Sequence, residues 1–498
     1  MAPTAFEFGY FRATWPGSRP GRCTGSALVV VMWCLVLLGL VVVSTLHTTR
    51  LETHIVKNQG DLIQARYLAL AGVEKAKALV YQESQRRRES GRDARSTLHD
   101  NPAEFQNVKL GRGSFRVIRH GSNASGARVY GLTDEESRLN MNVASAEQLY
   151  KVRGLAIPIA AAVVDWRDDD HKLTSEGAER DYYDSLDPPH RIRNGPLETL
   201  QEALMIRGVT PNLLLGEDTN YNRVLDPNEN DGAESPPGDD RDGVLDRGWA
   251  DTLTVHSEVD NASAWGKARV DIQQASAESL AEVDGISTDL AAKIVAYRGQ
   301  NSLETIADLL DVKQVTNTQN TQNTQSGGGN APTASRAYRE STAATTENQE
   351  SGSEITSSGS DQNQGAGGEN LISLDLLKRI ADHVTTGTGR TIPGAVNINT
   401  ASREAIACLP GITEDLSWAL LSFRQQKGYI SSVVELLDAP GVTREIFKQL
   451  VPGVTVRSET FRVVAEGWVP SSGARRRIEV VFRVGDYDVD TLYYREEL

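Results

Sequence analysis

Hydrophobic positions along the chain follow three different periods. Residues 26–46, SALVVVMWCLVLLGLVVVSTL, contain no charged side chain, and a run of that length spans a bilayer as a helix. From Leu46 to about Glu83 there is no proline, and Leu51, Ile55, Leu62, Ala65, Leu68, Ala69, Val73, Ala76 and Val80 recur at helical spacing. That stripe predicts an amphipathic stem continuing the apolar helix, weakened modestly at Gly60 and Gly72. Beyond the stem the period shortens to two. Residues 113–119 (GSFRVIR) and 127–132 (ARVYGL) alternate, and alternation returns at 459–468, 475–484 and 489–494, predicting strands at both ends of a long helical stretch. A sheet begun before residue 139 and finished after 456, with a large insertion between, is the economical arrangement.

The insertion carries an internal repeat. Residues 139–167, 270–298 and 396–424 each contain Ala-Ser-x-Glu, a Gly seven residues after that Glu (Glu147/Gly154, Glu278/Gly285, Glu404/Gly411), and an Arg thirteen residues after the Gly (Arg167, Arg298, Arg424). Ser is a helix N-cap, Glu suits the first turn, and the Gly stops the helix. Each copy is therefore predicted as two short helices around a tight turn, a helix-hairpin-helix unit. Such units bind DNA or serve as scaffold. DNA-binding turns commonly have a second Gly two residues on, where a phosphate meets backbone amides. These turns read Gly154-Leu-Ala, Gly285-Ile-Ser and Gly411-Ile-Thr, with Asp289, Glu414 and Asp415 following, so scaffold is the favoured reading and nucleic acid is disfavoured. Residues 313–370 are rich in Asn, Gln, Ser and Gly, the composition of a disordered linker. It is expected to separate the second repeat from the third.

Charge sharpens this picture. The net charge is −15, opposite to a nucleic-acid footprint. Arg12, Arg19 and Arg22 precede the apolar run against Glu7 alone, which keeps residues 1–25 in the cytoplasm and puts the bulk outside it. Three leaders fit: a secretory signal, a plain membrane anchor, or a prepilin-type leader cut after Gly25 to leave Ser26 as the new N-terminus. Cys23, Cys34 and Cys408 are the only cysteines, too scattered for a disulfide framework or a cysteine zinc site, and Cys408 is expected in the core. No HExxH and no GxSxG occurs, and no catalytic residue is assigned.

Residues 217–251 hold eleven acids against three arginines. Asp218, Asn220, Asn222, Val224 (by its carbonyl), Asp226 and Glu229 have EF-hand ligand spacing, although Arg223 stands where that loop wants Gly. Calcium is the expected ion; the alternative is a solvated acidic loop. Weaker metal candidates are Asp240, Asp242 and Asp246, and separately Asp165, Asp168 and Asp170.

Taken with the leader, these motifs form a recognisable set: Asp134-Glu135-Glu136-Ser137-Arg138-Leu139-Asn140-Met141-Asn142, Val164-Asp165-Trp166-Arg167-Asp168-x-Asp170, Arg193-Asn194-Gly195-Pro196-Leu197 and Leu253-Thr254-Val255-His256-Ser257. The chain resembles the general secretion pathway protein K family, minor pseudopilins of type II secretion. Val30 stands at the fifth mature position, where most pilins carry Glu. A subunit with no neighbour ahead needs no such carboxylate. The resemblance implies an α+β fold: a long pilin-like helix and a pilin-type β-sheet with an inserted helical domain. It implies a non-enzymatic role at the pseudopilus tip, priming or capping assembly for export of folded proteins. Implied partners are the I- and J-type minor pseudopilins, the major pseudopilin, prepilin peptidase and the inner membrane, with the bulk of the chain periplasmic. Calcium is known among its members. The runner-up is a membrane-anchored helix-hairpin-helix DNA receptor of an uptake system. The expected division is leader 1–25, transmembrane helix 26–46, stem 47–84, strands 100–138, inserted domain 139–312, linker 313–370, third hairpin 371–455 and closing strands 456–498.

Overall fold

The computed structural model describes residues 26–92, 95–122, 128–220, 225–313 and 370–497. The membrane run and the stem form one helix, α1 (Ser26–Ser90), roughly 98 Å long at 1.5 Å per residue. Its first half is exposed, and it is long and apolar enough to cross a membrane. The predicted stripe is buried only in part. Leu51 and Ile55 stay 55% and 48% exposed, whereas Ala65, Leu68, Ala69, Val73, Ala76 and Val80 are buried. The sheet begins to cover the helix only near Asp61, so the first residues of the stripe have nothing to pack against.

That sheet runs β1 (Val108–Leu110), β2 (Gly113–Ser122), β3 (Thr460–Val469), β4 (Ala474–Val484) and β5 (Val489–Glu497), in that order and antiparallel throughout. Strands from opposite sides of the insertion are thus direct neighbours, with Ala465 facing Val117 on one side and Ile478 on the other. Their inward side chains form one core with Ala69, Val73, Ala76 and Val80 of α1. The helix lies unusually close to the sheet at Gly467, where a Cβ would meet the Ala65 carbonyl oxygen at 2.1 Å. Gly72, a weak point by helix propensity, faces Phe115 and Ala465.

The inserted domain is built from three closed units. Each opens with a two-residue strand, continues through a hairpin, a 3-10 turn and a further short helix, and ends in a strand parallel to the first. The strand pairs are Leu139–Asn140 with Leu253–Thr254, Val270–Asp271 with Val384–Thr385, and Val396–Asn397 with Val454–Thr455. This corrects the expected division. Residues 370–385 do not open the third hairpin; they hold the helix Leu374–Ile380 and the strand that close the second unit. Lys313 pairs with Asn370, and the Leu371 amide donates to the Val312 carbonyl at 2.9 Å. Residues 314–369, outside the described residues, are therefore inserted within the second unit, and its two ends are held side by side. The second and third units share one apolar core that includes Ile272, Leu377, Ile406 and Phe447.

Candidate functional site

The residues 134–138 lie where the sheet hands over to the insertion, and they are buried. Glu135 accepts from Arg462 of β3 at 2.6 Å (Nε) and 3.1 Å (Nη2), from Arg138 at 3.4 Å, and from the Thr254 hydroxyl. Arg462 also donates to Glu479 of β4 at 2.5 Å. Glu136 accepts the backbone amides of Thr460 at 3.1 Å and Glu258 at 3.3 Å. Asp134 accepts from Ser458 at 2.5 Å, Asn397 at 3.3 Å and the Thr400 hydroxyl. One five-residue stretch thereby ties the sheet to the strands closing the first unit and opening the third. The joint reaches α1 through Glu459, 3.2 Å from Arg87.

Environment separates the two adjacent glutamates. Burial works against ionisation of Glu135, but the Arg462 and Arg138 guanidiniums hold its carboxyl below the usual range. Burial, followed by the Asp134 carboxylate, pushes Glu136 well above it. Burial also brings Arg138 down to about 10. The signal in the sequence was three consecutive acids between Leu132 and Leu139, but nothing local shows which basic residue answers them.

The repeated residues act inside their own units. Arg167 donates to the carbonyls of Met141 and Ala144, Arg298 to Ile272 at 3.0 Å, and Arg424 to Ile398 at 2.9 Å and Ala401 at 2.7 Å. The guanidinium thus returns to the start of the repeat and clamps its opening strand. Burial lowers Arg167 to about 10 and lowers Arg424 also. A second clamp comes from Asn142 and Asn399. Asn399 accepts from the Ile430 amide and donates to the Ile430 and Val456 carbonyls, and Asn142 does the same with Leu197 and Val255. Gly154, Gly285 and Gly411 have φ of 78°, 98° and 71°, as a helix-ending turn requires. Behind each stands its own unit's closing helix: Leu213, then Leu376 and Ile380, then Ile446 and Gln449. Ser287 and Thr413 cap the second hairpin helices of the second and third units. Lys151 of the first unit donates to the Leu409 and Ile412 carbonyls of the third turn, and Cys408 is buried in the first unit's core.

The acidic residues separate into two groups. In the loop 217–251, Asp218 is fully buried with its Oδ2 3.3 Å from Nε of the equally buried Arg247, which also pairs with Asp251 at 2.9 Å. Asn220 donates to Asp226 at 2.8 Å, and Glu229 accepts the Asp226 amide at 3.0 Å. Asn222 and Val224 lie outside the described residues. Asp240, Asp242 and Asp246 each accept a backbone amide two residues on. Most carboxylates of this loop are occupied by amides or by Arg247, but Glu229 Oε1 is buried with no partner, and burial raises the Glu229 carboxyl.

The other group is assembled at the end of the helix Ile157–Arg167. Among the described residues, Asp168, Asp170 and Glu179 form the one set of three metal-ligating side chains whose ligand oxygens lie within 4.8 Å of one another. Glu179 is an addition to the sequence-based set. Asp165 is fully buried beside them; its Oδ1 accepts the Thr174 amide at 3.1 Å. Asp165 Oδ2, Asp168 Oδ1, Glu179 Oε1 and Asn194 Oδ1 are buried with no partner, while Asn194 Nδ2 donates to the Asp170 carbonyl at 2.5 Å. Burial first, then the neighbouring carboxylates Asp170 and Asp165, raises Asp168; burial also raises Glu179. A cluster of orphaned, mutually repelling oxygens suits a hard cation with oxygen ligands. Of the processing pair, Gly25 lies outside the described residues and Ser26 is the first residue of α1.

Residues 129–215, which hold the charged joint and the acid cluster, match the family model described as type II secretion system (T2SS), protein K. Residues 266–325 and 394–455 match the helix-hairpin-helix motif. No curated protein matches. Among solved structures the chain is similar to one in the crystal structure of the GspK-GspI-GspJ complex from the enterotoxigenic Escherichia coli type 2 secretion system. Identity is 12%, coverage is 87% of this chain and 98% of that chain, and the TM-score is 0.37. Over residues 129–215 the chain is thus similar to protein K of the type II secretion system.

Proposed function

We propose that this chain is the tip subunit of a type II pseudopilus, a non-enzymatic component that primes or caps assembly for export of folded proteins. The observation that carries this reading is α1: one unbroken 65-residue helix with apolar Val30 in place of the filament carboxylate. An apolar residue there suits a subunit with no neighbour ahead of it, because a carboxylate in the bilayer is costly unless paired. Prepilin peptidase would cut between Gly25 and Ser26, leaving the helix in the inner membrane and the rest in the periplasm. I- and J-type minor pseudopilins and the major pseudopilin are the partners this role requires. The test is the intact mass and N-terminal sequence of the chain recovered from its host membrane. An N-methylated Ser26 is expected. A chain still beginning at its initiator end would overturn the reading and favour the anchored DNA receptor, against which stand the inward-turned arginines and acidic hairpin ends.

Calcium belongs to this proposal at Asp165, Asp168, Asp170 and Glu179, whose unpartnered oxygens are the reason. It would neutralise the cluster and hold the turn between the helix Ile157–Arg167 and the helix Arg180–Asp184. The Asp218–Glu229 set is the weaker choice, because Arg247 already neutralises Asp218. Terbium luminescence on the full chain should fall strongly in Asp168→Asn and be retained in Asp226→Asn; the reverse pattern would move the site into the loop.

A further inference from the structure

Between the distal end of α1, the sheet and the third unit lies a cleft of about 1280 Å³. It exceeds the usual small-molecule pocket of about 300–1,000 Å³, so it has room for a chain segment. Its charge is uneven. Arg119 donates to the His99 carbonyl, and Arg424 to the Ile398 and Ala401 carbonyls; neither meets a carboxylate in an ion pair. Arg95 lies close enough to act electrostatically on both His99 and Arg424, and among the described residues it has no ion-pair partner. The acids of the cleft are largely engaged: Asp134 accepts from Asn397, Thr400 and Ser458, Glu459 pairs with Arg87, and Glu104 pairs with Lys75. Glu83 accepts the Ser96 hydroxyl, which leaves Asp100 at the rim. Asp134 and Asp100 act on Arg119, whereas the charged group acting on Arg424 is Arg95, so the cationic excess lies on the Arg95–Arg424 side; guanidiniums favour planar, bidentate carboxylate partners.

Position narrows the source of the anion. The cleft lies along α1 near Ser90, which is roughly 66 Å of helix beyond Leu46, so lipid headgroups at the membrane end are out of reach. A free inorganic anion would leave most of the volume empty. We propose that this cleft is a docking groove for an acidic peptide segment of another protein, with Arg95, Arg119 and Arg424 as its carboxylate anchors. The inference is independent of the calcium cluster and of leader cleavage.

The test uses the full chain in detergent micelles, a fluorescent deca-glutamate peptide as probe, and deca-glutamine as control. Deca-glutamate should bind with an affinity that falls as salt rises. Arg95→Glu, at an exposed residue without an ion-pair partner among the described residues, should weaken binding about tenfold or more, because it turns an anchor for the probe's carboxylates into a like charge. The variant's melting temperature should be unchanged, which separates lost docking from lost folding. Three results would overturn the proposal: no saturable binding, equal binding of deca-glutamine, or an affinity untouched by Arg95→Glu. Full displacement by equimolar inorganic phosphate would also overturn it, reducing the cleft to a simple anion site.

Discussion

At the scale of single residues, Glu135 and Glu136 show how neighbours in sequence can have opposite electrostatic roles. Glu135 and Glu479 share Arg462 in a setting with almost no water. Truncating that arginine leaves two buried carboxylates with reduced compensation. Arg462→Met should therefore cost about 3–5 kcal/mol, read as a lower urea midpoint of the full chain. Glu136 behaves differently. Its pKa is raised in the folded state, so its contribution to stability is present below the unfolded carboxyl value, about 4.3, and is lost as pH rises through the folded value. Glu136→Gln keeps an acceptor for the Thr460 amide and removes that loss. Its stability relative to the parent should improve between pH 5 and pH 8 in urea titrations; an unchanged difference would show that the Glu136 carboxyl is ionised at both.

Individual elements are held by contacts that their own sequence only hints at. The hairpin helices have five residues in their first arm, too short to persist alone. Each persists because an arginine from its second arm and, in the first and third units, an asparagine clamp the opening strand. Asn399→Ala removes three hydrogen bonds at a partly buried site and should cost about 1–3 kcal/mol. Hydrogen exchange should rise in the third unit around Ile430 and Val456, while the α1–sheet core stays protected. The packing of α1 has an equally local test. Gly467→Ala places a methyl against the Ala65 carbonyl and should destabilise the sheet by about 1–3 kcal/mol through overpacking. Calorimetry of the full chain would register it.

For the whole molecule, the long polar segment sits within a folded unit whose ends already meet at Lys313 and Asn370. Replacing residues 314–369 by about seven Gly/Ser residues shortens the loop by three halvings. At about 0.6 kcal/mol each, that stabilises the second unit by roughly 1.8 kcal/mol. A melting temperature at or above the parent's is expected; a loss of the second unit's protection would mean that the segment contributes contacts of its own. The same view explains how the sheet survives an insertion of more than 300 residues between β2 and β3: the insertion leaves and returns at one joint, where Asp134, Glu135 and Glu136 meet Ser458, Thr460 and Arg462.

The sequence by itself determined the features that live in local period and spacing. The apolar helix, the strands at 113–119 and after 456, the three hairpins and their turn glycines were legible, because each depends on residues within a few turns or one strand of one another; of the strand expected over 127–132, only Arg128–Val129 forms among the described residues. The membership of the sites was not legible. An EF-hand-like run placed Asp218 first among the ligands, yet folding set that carboxylate against Arg247, twenty-nine residues on. The acids that do converge include Glu179, which no spacing rule joins to Asp168. Only the tertiary structure decided that residues 370–385 close the second unit, that the repeated arginines face inward, and that three guanidiniums border one cleft. The physical reason is the same in each case. A buried charge or carbonyl takes the partner that the packed backbone brings near, and for Asp134 and Glu135 that partner is more than 260 residues away in the chain.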